Sequence, residues 1–209
     1  MDLKNKILSK TEELFMRYGI KSITMDEVAR KLGISKKTLY KYVDNKADLI
    51  AKVIGVYIER EKEIMLDIKS KATDAIEEMM MMSQHIHQQL QGMNPTAVYD
   101  LQKYYYESWE LINSLQDEFT YNLIQANIQK GIQEGVYRKT VDADVIARFY
   151  VGSAHVMVDK NLFPVLKYEM ARLHNVFIEY HLHGIASEKG LERLQQYKKI
   201  QNNQPVEIL

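Results

Sequence analysis

Six side chains within seven consecutive positions, Lys36, Lys37, Thr38, Tyr40, Lys41 and Tyr42, offer the chemistry with which a protein grips a nucleic acid. Lysine ammonium groups neutralise phosphates. Tyrosine hydroxyls donate to phosphates or base edges, and threonine presents a hydroxyl and a methyl to bases. Leu39 and Val43 fall among them at helical spacing, which predicts a short helix with one apolar face and one basic, aromatic face.

That helix has to be held by a second one, and the residues before it supply the means. Thr24 is a favourable N-cap, and Glu27 three residues later completes a capping box. Val28, Ala29 and Leu32 form an apolar face. Gly33 then stops the helix, since glycine takes the left-handed conformation at little cost. Ile34 plugs the turn and Ser35 caps the next helix. Two short helices joined by a tight turn are a helix-turn-helix, whose second helix enters the major groove. Asp44 or Asn45 caps a third helix with Lys46 in its first turn. A cation there opposes the helix dipole, unless a phosphate docks at the same N-terminus. Lys46 is therefore expected to face an anionic partner.

The residues from Ile7 to about Ile54 resemble the DNA-binding domain of the TetR (tetracycline-repressor) family of transcriptional regulators. The likeness rests on Leu14-Phe15-x-x-Tyr18-Gly19, on Thr24-Met25-Asp26-Glu27-Val28-Ala29, on the run from Gly33 to Tyr42, and on Asn45-Lys46-Ala47-Asp48-Leu49. It implies that Thr24, Ser35, Lys36, Lys37, Thr38, Tyr40, Tyr42 and Lys46 face DNA, with Lys41 beside them on the outward face. Two positions depart from the pattern. Val43 stands where the family often has phenylalanine, and Lys37 where it often has glycine or arginine, so no operator sequence carries over. The resemblance further implies a dimer that holds a near-palindromic double-stranded operator, a small-molecule effector in the body, and repression relieved by that effector.

Beyond the head, Met79 to Met82 are four consecutive methionines that a helix sends to all sides, so some fill the core and Met82 is a candidate cavity residue. Tyr99, Tyr105 and Trp109 share part of a helical face and, with Phe149, are candidates to line an apolar pocket for a hydrophobic guest. Val151, His155, Val158, Leu173, Val176, Phe177 and Tyr180 lie on the last two long helices, which the family uses for its two-fold interface. His155 and His174, in apolar stretches, read as core or interface histidines. The pairs His85/His87 and His181/His183 point to opposite sides of a helix, so no metal is expected, and no cofactor either. His-Glu-x-x-His, a phosphate-cradling glycine loop and Gly-x-Ser-x-Gly are all missing, which leaves catalysis without a motif.

The 209 residues are 46% hydrophobic and 27% charged, ordinary for a globular protein, and contain no cysteine. Net charge is zero but unevenly spread. Residues 1–50 carry 11 Lys+Arg against 7 Asp+Glu, net +4, which leaves −4 on the rest. A basic head on an acidic body confines nucleic-acid contact to the head. The first residues lack the apolar core of a secretion signal, and the most apolar window, Phe149 to Val158, is too short to span a bilayer. A cytoplasmic protein without membrane contact is the expectation.

With 9 glycines, 3 prolines and no alternating apolar runs, the chain reads as all-α. An N-terminal three-helix head spans 1–50, a helical ligand-binding and dimerisation domain 51–190, and a polar tail 191–209. Expected helices cover Leu3 to Tyr18, Lys46 to Ser70, Ala72 to Gln91, Asn94-Pro95 to Leu111, Gln116 to Gln133, Asp142 to Asp159 and Leu166 to Ile185. The readings that compete with a regulator are a helical ligand carrier and a protein-binding adaptor, each keeping the helix-turn-helix for structure alone.

Overall fold

A computed structural model of the chain describes residues 2–94, 96–164 and 167–203. Among them the fold is helical throughout, apart from an isolated bridge between Tyr137 and Ala186. Helix α1 (Leu3–Tyr18), α2 (Met25–Leu32) and α3 (Lys36–Leu39) make the head, and α4 (Lys46–Lys71) leads out of it. The body adds α5 (Ala75–Gln91), α6 (Thr96–Tyr104), α7 (Tyr106–Ser114), a π-helical segment (Leu115–Thr120), α8 (Tyr121–Glu134), α9 (Ala143–Met157), α10 (Met170–Ile185) and α11 (Glu188–Asn203). No helix among the described residues is long and apolar enough to cross a membrane.

The head forms around one core. Ile7, Leu14 and Phe15 of α1, Val28 and Ala29 of α2, Leu39 of α3 and Val43 meet Leu49, Ile50 and Val53 of α4. Because α4 supplies part of this core and, over its 26 residues, about 39 Å, runs on into the body, it is a strut common to both parts. The body core gathers Ile76 and Met79 of α5, Ile124 and Ile128 of α8, Tyr150 of α9, and Ile178 and Leu182 of α10.

Three expectations need correction. The stretch ending near Leu111 is two helices, α6 and α7, with the break at Tyr105 (φ −138°, ψ 54°). Three consecutive tyrosines crowd this turn, and Tyr105 packs inward against the head core. Pro95, expected to open that stretch, and Leu166, expected to open the last long helix, lie outside the described residues. The helix placed at Gln116 begins instead as a π-helical turn at Leu115, and such turns are frequent near functional sites. Lastly, the segment expected as a polar tail is helical to Asn203 and docked. Leu194 is buried in the body core, Arg193 is paired with Asp74, the N-cap of α5, and Gly190 runs against the Val136 carbonyl. A mostly polar sequence concealed this because much of the docking is polar: besides Leu194 and Arg193, Lys198 pairs with Glu179 of α10 and Lys189 donates to the Glu134 carbonyl.

Candidate nucleic-acid interface and interior cavity

The helix-turn-helix is built as its caps dictate. Thr24 Oγ1 accepts the Glu27 N–H (3.2 Å) while the Glu27 carboxylate accepts the Thr24 N–H (2.7 Å). That bond holds the Glu27 carboxyl below its ordinary range. Gly33 sits at φ +66°, the left-handed conformation that lets Ile34 N–H return to the Ala29 carbonyl (3.0 Å) and turn the chain. Ser35 Oγ accepts the Thr38 N–H (3.0 Å) and starts α3.

Only Lys36 to Leu39 are α-helical here. From Tyr40 the chain winds on more tightly, with Lys41 N–H bonded to the Thr38 carbonyl and Tyr42 N–H to that of Leu39. Lys37, Tyr40 and Lys41 are exposed, and neither lysine has an ion pair among the described residues. Lys36 is exposed but paired with Asp26 (2.8 Å), a surface contact of the weak kind that a phosphate can displace. Thr38 is half-buried, its hydroxyl shared with Ser35 (2.8 Å). Tyr42 lies half-buried against the head core.

Lys46 is placed differently from its expectation. Its ammonium donates to the carbonyls of Ile20 (2.7 Å) and Lys21 (3.3 Å), and the Tyr105 ring lies 6.0 Å away. Partial burial lowers its pKa. A lysine at this helix start thus has an internal reason: it ties α4 to the turn after α1. That turn is also held by the body. Asp100, buried on α6, accepts the Lys21 N–H (2.8 Å), and the Asn94 N–H reaches the Met16 carbonyl (2.6 Å).

A cavity of about 310 Å³ runs between the head core and the body. Its wall is mostly apolar and is drawn from α1 (Phe15), α4 (Ile50, Val53, Ile54), α5 (Met82, Ile86), α7 (Trp109, Ile112), the π-helical segment (Phe119) and α10 (Phe177). One polar corner stands on α4 and α5. Buried Glu61 accepts from Gln89 Nε2 (2.8 Å) and faces His85 Nε2 (2.8 Å), while the Tyr57 hydroxyl donates to Gln89 Oε1 (3.1 Å). An exposed groove of Tyr99, Lys103 and Lys160 shares Trp109, His155 and Val158 with the cavity. Both lysines approach the Tyr99 ring, Lys160 at 4.7 Å and Lys103 at 5.4 Å.

Of the five candidate pocket residues, Met82 and Trp109 line the cavity. Tyr99 lies in the outer groove, Tyr105 in the seam with the head, and Phe149 is 69% exposed on the outer side of α9. A wall fed by so many helices could not be read from one aromatic cluster. His174, which the sequence suggests as a core or interface histidine, is buried and lines the cavity. Of the seven interface candidates, Val176 and Tyr180 are exposed, Leu173 is half-buried, Val151 is buried, Phe177 packs on the body core, and His155 and Val158 border the cavity. The outward stripe is instead Val145, Phe149 and Val156 on α9 with Val176 and Tyr180 on α10. Spacing of four and seven would have isolated it had the inner face been known.

Residues 7–53 match the sequence profile of bacterial regulatory proteins of the tetR family. The chain is 27% identical over 158 residues to the HTH-type transcriptional regulator YvaF of Bacillus subtilis (strain 168), covering 75% of this chain and 82% of that one. It is 25% identical over 187 residues to the fatty acid metabolism regulator protein of the same organism, covering 86% and 94%. Among solved structures, the transcriptional regulator FadR from Bacillus subtilis in complex with stearoyl-CoA superposes with a TM-score of 0.59 at 23% identity, covering 87% of this chain and 98% of that one.

Proposed function

The chain belongs to the TetR family of transcriptional regulators, and we propose that it is a homodimeric repressor released from a near-palindromic operator by a long-chain acyl effector. The observation that carries this reading is the double duty of α4. Ile50 and Val53 are part of the head core and line the cavity as well, so a guest that shifts α4 also shifts the head. Asp100 and Lys46 fasten the turn after α1 to α6 and α4, which gives the head a second connection to the cavity wall.

On DNA, Lys37 and Thr38 read bases, and Lys36, Tyr40, Lys41 and Tyr42 hold phosphates, with Ser35 and Thr24 fixing the two helices that carry them. Lys46 positions the head. The two copies meet through the outward stripe of α9 and α10. The open faces of Gly152 and Gly184 on the same helices leave room for close approach. A 1–50 head, a body from 51, and α11 as part of that body replace the three-part division expected from sequence.

The effector class rests on three supports. The cavity is apolar and of the size that small-molecule sites have. Lys103 and Lys160 in the adjoining groove suit an anionic head. The relatives include a fatty acid metabolism regulator and a fold neighbour bound to stearoyl-CoA. Coupling of about 1–3 kcal/mol between the two sites is enough for release.

A random duplex library offered to the protein at about 0.15 M salt tests the first half. An enriched inverted repeat, bound with a log–log salt slope near −5 for about six phosphates, is the expected result. Addition of stearoyl-CoA, stearate or coenzyme A to that complex tests the second half. Release by the thioester alone is expected, and unchanged operator affinity with all three would sink the acyl effector.

A further inference from the structure

The cavity holds a polar side chain that the protein leaves without a partner. His174, on α10, is 5% exposed and lines the cavity, yet neither Nδ1 nor Nε2 has a hydrogen-bond partner among the described residues. Several other polar groups of the wall have partners within the protein. Glu61, Gln89 and Tyr57 bond one another, and Ser153 Oγ donates to the Tyr150 carbonyl. A buried imidazole with both nitrogens idle is costly, and natural proteins keep such groups where something else completes them.

We propose that His174 is the polar anchor of the cavity and hydrogen-bonds an uncharged oxygen, a carbonyl or a hydroxyl, on the otherwise hydrocarbon chain of the effector. The inference rests on the reading of the cavity as an effector site. Its chemistry follows from the surroundings. Desolvation, with His87 of α5 nearby, pushes the His174 pKa down to about 4, so near neutral pH the ring is uncharged. A neutral imidazole has one N–H to give and one lone pair to receive. A carboxylate would lose its water in an apolar cavity and gain no cation from His174, whereas a carbonyl or hydroxyl oxygen gives up little and matches the N–H. In an acyl thioester the oxygen that qualifies is the thioester carbonyl.

The test removes the oxygen from the ligand and the imidazole from the protein in turn. Palmitoyl-CoA and its hexadecyl-CoA thioether differ in one carbonyl oxygen, as 2-dodecanone and dodecane do without a charged head. Trp109, the only tryptophan of the chain, lines the cavity and reports binding by its fluorescence. The wild type is expected to favour the carbonyl member of a pair by about tenfold. His174→Phe should level the pair, and His174→Gln should keep part of the preference. In 15N-histidine-labelled wild-type protein, 2-dodecanone should move the ring resonances of one histidine and dodecane should not. The proposal is overturned if wild type and His174→Phe bind both members of a pair with the same ratio. Should His174→Phe fail to fold, the ligand pairs on wild type and His174→Gln still decide. Binding of the ketone with no binding of palmitoyl-CoA would remove the acyl-CoA reading and leave the His174 anchor standing. No binding of any of the four would remove the cavity as an effector site, and the anchor with it.

Discussion

At the scale of residues, the recognition segment divides its lysines by what already holds them. Lys37 and Lys41 are unpaired among the described residues, whereas Lys36 is paired with Asp26 and Lys46 is bound to two carbonyls. Lys37→Ala should therefore alter the base preference recovered from a duplex library. Lys41→Ala should weaken all sequences alike and lower the salt slope by about one. Equal losses for Lys37→Ala on operator and random DNA would reassign it to a phosphate. Lys46→Ala breaks a charge-assisted tie between α4 and the turn at Ile20, and it should cost about 1–3 kcal/mol of stability in urea denaturation. An unchanged midpoint with weaker DNA binding would return Lys46 to the phosphate contacts.

At the scale of elements, small residues decide where helices can sit. A Cβ on Gly190 would lie 1.9 Å from the Val136 carbonyl oxygen, a backbone atom that cannot swing aside. Gly190→Ala should lift the start of α11 and destabilise the protein by roughly 1–3 kcal/mol, as overpacking of a filled site does. Hydrogen exchange should show the loss in α11 first, and uniform protection of α11 in the variant would contradict the docking described. The π-helical segment between α7 and α8 has its own part, since Leu115 and Phe119 line the cavity from it. A regular α-helix through the same residues would present a different set.

At the scale of the whole molecule, the exposed stripes and the buried histidines each make a forecast. Phe149 and Tyr180 are 69% and 77% exposed on adjoining long helices, more than a lone soluble copy needs. Phe149→Glu together with Tyr180→Glu should give a folded monomer in sedimentation and cost most of the operator affinity, because half-sites are then held singly. A dimer that persists in the double variant would place the interface elsewhere. His174 and His181 have their pKa values pushed from 6.5 to about 4 by burial, so the unfolded chain binds more protons between those values. Stability must then rise with pH across that window and fall as pH drops from about 6.5 to 4. Urea midpoints at pH 7.5 and 5.0 should differ accordingly. His181→Phe, packed against Tyr150 and Phe177, should flatten the difference, and an undiminished slope would assign it to other groups.

The sequence by itself determined the head. Its caps, turn glycine and apolar positions lie within about fifty residues and act on near neighbours, so Thr24, Gly33, Ser35, Leu39 and Val43 could be assigned from spacing alone, and the strut α4 followed from an unbroken helical run. Only the tertiary structure decided the body. That Phe149 points away from the cavity, that Val151 is buried and Phe177 packs on the body core, and that Lys46 meets the Ile20 carbonyl depend on which helix comes to lie against which. Those contacts join residues tens of positions apart, as Lys21 and Asp100 are, and amphipathic spacing marks a buried face without saying what buries it.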